Sequence, residues 1–259
     1  MLEGEVMGIQ VSTEGMEKVY ERPKTLTDVV THYCPGCGHG VVHRLVMEVV
    51  QELGIQNEVI GVAPVGCGVF AYNYMDIDMQ QAAHGRACAV ATALKRMMPD
   101  KYIFTYQGDG DLAGIGGNET LHACNRGENM TIVFINNAIY GMTGGQMAPT
   151  TLIGQRTSTS PSGREASEAG YPIRMSEIVT TLAGVRYVER TAVNTAARVR
   201  KTKAALLKAF KHQKEGKGTS FVEVLSNCPS NWKMSPIDAN KWVEDAMIPH
   251  FPLGVLKDQ

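Results

Sequence analysis

The stretch Tyr33 to Gly40 reads "YCPGCGHG", two thiols separated by a proline and a glycine, then a glycine and a histidine. That spacing is shared by redox dithiols, zinc knuckles, half-sites of iron–sulfur clusters and plain tight turns. The flanks narrow the choice. A redox dithiol follows a strand and opens a helix, and "TLTDVVTHY" ahead of Cys34 is not a convincing strand. Haem attachment needs a histidine directly after the second cysteine, and Gly38 intervenes. Two more cysteines, Cys67 in "PVGCGVF" and Cys228 in "LSNCPSNW", each follow an apolar strand-like run. A glycine or proline beside all four thiols lets the backbone pass close to sulfur, as clusters that accept N–H···S bonds require. A four-thiolate zinc site stays open as an alternative. Cys88 and Cys124 lie inside helical patterns and read as small buried hydrophobes.

A second chemical signal is "GDGDLA" at 108–113, which fits a dinucleotide loop of the form GxGxxA after a strand. Asp109 opposes that reading, because a carboxylate inside the loop repels a bare pyrophosphate. The next strand also ends in "INN" rather than in the acid that would hold a ribose. A divalent cation between carboxylate and diphosphate removes the conflict, since Mg²⁺ takes carboxylate, amide and carbonyl oxygens together with phosphate oxygens. Asp109 and Asn137 end neighbouring strand signals 28 positions apart, so both can face one crevice. GDG followed by NN at this interval resembles the thiamine diphosphate signature.

The elements that must position these groups alternate. Helical periodicity covers 41–54, 84–99, 117–127, 175–184 and 194–213, and strand-like runs cover 58–66, 101–111, 129–137, 185–190 and 219–226. The alternation predicts an α/β fold, a parallel sheet flanked by helices, with ligands at the carboxyl ends of the strands. Residues 1–24 read as an N-terminal arm, 25–226 as one α/β domain, and 227–259 as a C-terminal tail packing on that domain or on a partner. The segment 141–172, rich in Gly, Ser, Thr and Pro, is too long for a mere connection and reads as a functional flap. Met97 and Met98 read as core packing, Asn118 and Glu119 as caps, and the Lys/Arg series in 198–211 as a solvated helix face.

With 25 basic and 26 acidic residues in 259, the formal charge is −1, so nothing argues electrostatically for nucleic acid or an anionic membrane. No apolar run approaches the roughly 18 residues of a membrane span. The N-terminus carries acids and no apolar core, unlike a signal peptide, and the expected location is the cytoplasm.

Taken together, "CPGCGHG" (34–40), "GCG" (66–68), "HGRA" (84–87), "GDGD" with "INN" (108–137), "IYGMTGGQ" (139–146) and "CPSNWKMSP" (228–236) resemble the β subunit of the 2-oxoacid:ferredoxin oxidoreductases. The resemblance implies a thiamine diphosphate-binding fold with a C-terminal extension. It implies Mg²⁺ held by Asp109, Asn137 and the carbonyl of Ile139, and a [4Fe–4S] cluster on Cys34, Cys37, Cys67 and Cys228. Cofactor contacts are expected from Gly38, His39, Gly66, His84, Gly85, Gly108, Gly110, Asp111, Tyr140, Gly141, Thr143 and Gly144, with His39 and His84 as candidate catalytic groups. The implied reaction is oxidative decarboxylation of a 2-oxoacid to acyl-coenzyme A, with electrons passed singly to the cluster and on to ferredoxin. The pyrimidine half of thiamine has no home in a chain this short, so an α subunit is expected to supply it, with γ and ferredoxin-like δ subunits as further partners. The C-terminal residues look closest to branched-chain (2-oxoisovalerate) types, with 2-oxoglutarate next and then pyruvate. A non-redox thiamine decarboxylase or transketolase half, and a non-catalytic interaction or metal-storage subunit, are the competing classes.

Overall fold

In the computed structural model, Gly15, Glu17 and residues 20–259 are described; most of the expected arm over 1–24 lies outside them. Seven strands form one sheet: β1 (Val59–Ala63), β2 (Asp78–Gln81), β3 (Tyr102–Gly108), β4 (Thr131–Asn136), β5 (Val185–Ala192), β6 (Thr219–Leu225) and β7 (Gly254–Asp258). Their spatial order is β2-β1-β3-β4-β6-β5-β7. All neighbours run parallel except β7, which pairs antiparallel with β5. The strands β1, β4 and β6 are buried throughout, "TIVFIN" of β4 and "TSFVEVL" of β6 among them. A strand covered by helices on both faces reads as a continuous apolar run rather than an alternating one.

Two helices cover one face. α1 (His39–Leu53) buries Val42, Leu45, Val46, Val49 and Val50, one stripe at helical spacing, and stops where Gly54 turns left-handed at φ 66°. It packs beside the long helix of residues Ala196–Lys214, whose start is capped by Thr195 accepting from the Arg198 amide. On the other face lie the helices Ala87–Met97, Gly117–Arg126 and Met175–Thr180. The last residues, from Pro229 on, form short helical turns over a third apolar cluster that includes Leu225, Met247 and Phe251, and then supply β7.

Several expectations change. Met97 is 78% exposed, and only Met98 packs against the core. Asn118 and Glu119 cap nothing; Gly116 holds the cap position, and Glu119 pairs with Arg86 at 2.9 Å. Cys88 and Cys124 are buried as expected. The strand β2, "DMQQ", is polar and mostly exposed, because an edge strand draws its hydrogen bonds from one neighbour and needs no apolar pattern. The glycines after β3 do not form a simple loop but a π-helical turn, Gly110–Ile115.

The segment 141–172 has one short helix, Ala166–Ala169, and is organised by a single side chain. Arg164, 5% exposed, donates to the carbonyls of Ala148, Pro149, Thr151, Ala169, Gly170 and Tyr171. Only a planar guanidinium has donors enough, in a fixed fork, for that task. Arg164→Lys is therefore expected to leave most of these carbonyls unpaired. Proteolytic cleavage between residues 150 and 172 should accelerate at least about tenfold, the equivalent of one lost buried hydrogen bond to a charged group, while the sheet's far-ultraviolet signal stays unchanged.

Candidate cofactor and metal site

Strands β1, β3, β4 and β6 are consecutive in the sheet, and each ends in a group of interest. After β1 comes Cys67, after β3 Asp109, after β4 Asn137 and after β6 Cys228. The topology thus gathers residues spread over 162 positions onto one edge, where ligands of open α/β sheets bind.

Asp109 is 2% exposed. One carboxylate oxygen accepts from the Gly110 amide at 2.9 Å; the other accepts from the Thr150 hydroxyl at 2.6 Å and the Ile139 amide at 3.2 Å. Burial raises its pKa from 3.8 to about 6, against the opposing pull of these three neutral donors. Next to it, the side-chain carbonyl oxygen of Asn137 is buried with no hydrogen-bond partner. A bare carbonyl oxygen in a dry site is costly unless something fills the gap. Between them the chain passes through Ala138 at φ 56°, a left-handed turn that aims the Ile139 amide back at Asp109. Tyr140 lies across Gly110 and Gly114, where its ring leaves no room for a Cβ, and donates from its hydroxyl to the Gly110 carbonyl at 3.2 Å.

The four cysteines Cys34, Cys37, Cys67 and Cys228 border one cavity of about 190 Å³, together with Asn137 and Gly141. Among the described residues no three His, Cys, Asp or Glu side chains converge on a single ion-sized point; the thiols surround a space instead. Burial pushes the thiols of Cys37 and Cys67 up to about 12, and raises that of Cys228. Gly141 stands where the two halves of the site meet. A Cβ there would lie 3.0 Å from the Cys67 sulfur and 3.7 Å from both the Asn137 amide nitrogen and the Cys228 sulfur.

Two asparagines that sequence reasoning passed over hold this arrangement. Asn227, 3% exposed, accepts from the Gly38 amide at 2.8 Å and donates to the Gly36 carbonyl at 3.0 Å, clasping the Cys34–Cys37 turn to the end of β6. Asn231 donates to the Gly141 carbonyl at 2.8 Å and to the Cys228 sulfur at 3.4 Å. Their place beside Cys228 in "SNCPSNW" was the only available signal. Gly36, at φ 76°, lies under Pro236, which would sit 2.5 Å from a Cβ. Gly38 is pressed against Ser226 and Val193.

The remaining expected residues are distributed unevenly. His84 Nδ1 lies 2.6 Å from an oxygen of Asp111, and the same carboxylate accepts from the amides of Gly85 and Val65 and from the Gln107 side chain. Asp111 is therefore consumed by the chain itself: it orients His84 and anchors the segment leading to Gly66 and Cys67. His39 is 2% exposed and stacks on Tyr33 with ring centroids 5.2 Å apart, its Nδ1 3.0 Å from the Tyr106 hydroxyl. Burial lowers its pKa to about 3, so it is neutral at ordinary pH, and it stands behind Tyr33 rather than on the cavity wall. Gly108 ends β3 in register with Ile135. Thr143 hydrogen-bonds Gln146, and Gly144, at φ 106°, opens to a separate cavity of about 610 Å³ beside Arg156 and Lys233.

The adjacent strand ends of the parallel sheet offer a buried carboxylate, a free amide oxygen and two thiols, and the Cys34–Cys37 turn adds two more, an arrangement suited to a thiamine diphosphate-type domain. Residues 65–224 match the family model described as thiamine pyrophosphate enzyme, C-terminal TPP binding domain. The chain is 46% identical over 246 residues to the ketoisovalerate oxidoreductase subunit VorA of Methanothermobacter thermautotrophicus, covering 95% of this chain and 52% of that one. It is 37% identical over 223 residues to the 2-oxoglutarate synthase subunit KorB of Methanocaldococcus jannaschii, covering 83% and 78%. A solved structure of the 2-oxoglutarate:ferredoxin oxidoreductase from Magnetococcus marinus, with 2-oxoglutarate, coenzyme A and succinyl-CoA bound, superposes with a TM-score of 0.77 at 27% identity, covering 95% of this chain and 87% of that one. The chain belongs to the β-subunit family of the 2-oxoacid:ferredoxin oxidoreductases. It spans about half the length of the VorA relatives it matches. No helix among the described residues is long and apolar enough to cross a membrane.

The raised Asp109 sets two opposite pH dependences. Without a cation the folded chain holds this proton more tightly than the unfolded chain, so stability falls as pH rises from about 4 through 6. A shift of some two units amounts to about 3 kcal/mol. Asp109→Asn is expected to raise the melting temperature of the metal-free chain at pH 8 and to flatten its pH dependence below 6. Metal binding should do the reverse, weakening up to about tenfold per unit below pH 6 as protons compete for the carboxylate; titration calorimetry with Mg²⁺ and thiamine diphosphate measures it, and Asp109→Asn should abolish it.

Proposed function

We propose that this chain is the thiamine diphosphate- and cluster-carrying part of an enzyme that oxidatively decarboxylates a 2-oxoacid, transferring the acyl group to coenzyme A and electrons to ferredoxin. The observation that carries the reading is the wall at Gly141, where a Cβ would meet the Asn137 side-chain amide together with the sulfurs of Cys67 and Cys228. Thiamine diphosphate, when bound, supplies the carbon nucleophile for the 2-oxo group and the sink for the electrons left as CO₂ departs, and an adjoining [4Fe–4S] cluster takes those electrons one at a time.

The residues fit these groups. The unpaired oxygen of Asn137 and the carboxylate of Asp109 are the hard oxygen donors Mg²⁺ prefers, and the carbonyl of Ile139 follows on the same turn. A cavity of about 190 Å³ walled by Cys34, Cys37, Cys67 and Cys228 favours a polynuclear cluster over one zinc ion, whose four thiolates stand at about 2.3 Å from a common centre. Loading it must release protons from the Cys37, Cys67 and Cys228 thiols, which burial holds neutral. Tyr140 fixes the Gly110 turn against the diphosphate end. His84, oriented by Asp111, is the histidine available to move a proton at its free Nε2, while His39 supports the turn behind Tyr33. Gly66, at φ 129° with open space where a Cβ would stand, lets the backbone approach the cofactor, while Gly85, at φ 75°, lies against the backbone of Ile115 and Gly116.

A branched-chain 2-oxoacid, 2-oxoisovalerate, is the favoured substrate, supported by the higher identity to VorA than to KorB; 2-oxoglutarate is second. An α subunit supplies the pyrimidine side of the cofactor, with γ and ferredoxin-like δ subunits completing the complex. Anaerobic co-purification of the complex from its native source tests the whole reading. The expected result is a brown protein with about four irons on this chain, bound thiamine diphosphate, and viologen reduction dependent on coenzyme A and fastest with 2-oxoisovalerate. Stoichiometric zinc with no iron would favour a non-redox thiamine enzyme instead. Cys228→Ser should remove most of the iron while leaving thiamine diphosphate bound; equal loss of both would count against two adjoining sites.

A further inference from the structure

The sheet interior contains a charged group that neither the cofactor ligands nor the thiols touch. Glu223 lies in the middle of β6, 1% exposed, opposite Phe134 of β4 and Arg190 of β5. One of its oxygens accepts from Arg190 Nε at 2.8 Å and from the Ser176 hydroxyl; the other accepts from the Asn136 amide nitrogen at 2.8 Å. Arg190, also 1% exposed, continues to Glu177, to the Pro252 carbonyl at 3.2 Å and over the Phe251 ring. A buried ion pair adds little stability over apolar residues of the same volume, so stability alone does not account for it. What it fixes does.

A carboxylate only accepts hydrogen bonds, so Glu223 forces the nitrogen of the Asn136 amide toward itself. The Asn136 oxygen must then face the other way, and it accepts from the Ala138 amide at 3.1 Å. That bond closes a turn in which Ala138 adopts φ 56°, a conformation costing a non-glycine residue about 1–2 kcal/mol. The turn in turn sends the Ile139 amide to Asp109 at 3.2 Å and leaves the Asn137 oxygen unpaired. A continuous chain of contacts therefore runs from Arg190 through Glu223, Asn136 and Ala138 to the candidate metal ligands.

We propose that Glu223 and Asn136 are positioning residues: their hydrogen bond braces Ala138 in its left-handed turn and so presets the Asp109–Asn137–Ile139 constellation before any cation binds. Neither residue touches metal or cofactor. The inference takes from the proposed function only the identity of the ligand that the turn receives.

The test uses the full chain with the subunits that co-purify with it, carrying Glu223→Gln or Asn136→Ala, each with and without Ala138→Gly. The first readout needs no cofactor: hydrogen exchange of the Ile139 amide in metal-free protein. The second is the dissociation constant of thiamine diphosphate as a function of Mg²⁺ concentration. Both single variants are expected to speed Ile139 exchange and weaken Mg²⁺-dependent binding by about tenfold, the order of the turn's strain. Ala138→Gly, free of that strain, should restore most of the binding in either background without restoring the global unfolding midpoint. A purely structural Glu223 would lower the midpoint and show no such rescue. Unchanged Ile139 exchange in both variants, or binding losses that Ala138→Gly leaves untouched, overturns the proposal. Should Glu223→Gln not fold, Asn136→Ala reads the same link. If the unaltered complex binds no thiamine diphosphate while the variants still speed Ile139 exchange, the brace stands and the proposed function falls.

Discussion

At the tip of the inner strand β3 a carboxylate lies almost wholly out of water, with three hydrogen bonds and all of them from neutral donors. Such a charge is held against its preference, as the rise of its pKa toward 6 records. Much of the surrounding structure exists to keep it there. Arg164 shapes the long segment that delivers Thr150 to it, the Ala138 turn delivers the Ile139 amide, and the π-helical turn delivers Gly110. Each donor lowers the cost of the buried charge a little, and none of them cancels it. A cation would. The site is organised around that unmet electrostatic requirement.

The thiol half follows the same principle in another form. Cys37 and Cys67 are raised to about 12 by burial, so the cavity favours neutral sulfur until a positively charged partner arrives. Its walls come from four remote segments: the Cys34–Cys37 turn, the end of β1, the segment after β4 and the end of β6. Asn227 ties the Cys34–Cys37 turn, and Asn231 the segment at Gly141, to the end of β6 through backbone groups, which holds these walls without placing another charge nearby. Because Gly141 has no side chain, the Asn137 amide and the Cys67 and Cys228 sulfurs can all border the same small space. A larger residue there would drive them apart.

Much of this could be read from the chain alone. The alternation of helical and strand-like runs pointed to the parallel sheet, since strands buried on both faces are mostly apolar runs. What failed were the elements whose pattern is not apolar. β2 is polar because it is an edge, β7 reaches its place only by crossing from the C-terminus to pair with β5, and the π-helical turn after Asp109 reads as loop because its glycines carry no periodicity. Met97 looked apolar and is exposed, since its position at the end of its helix points it away from the sheet. Asp111, expected among the cofactor contacts because it belongs to "GDGD", has its oxygens on His84, Gly85, Val65 and Gln107.

By itself the sequence determined the residue types and intervals that make this chemistry plausible: a carboxylate and an asparagine ending successive strands, and four thiols flanked by glycine or proline. Those features are local, set by what each strand end must carry. Only the tertiary structure decided which of them meet. The order β1-β3-β4-β6 sets the four strand ends side by side, and that order comes from how helices pack on two faces of a twisted sheet. It likewise decided that His39 is buried and neutral while His84 is held by an acid, and that Asn136, the less conspicuous half of "NN", is tied through Glu223 to the sheet interior. Hydrogen bonds between residues 87 positions apart leave no mark in local sequence, because their geometry exists only after the strands have paired.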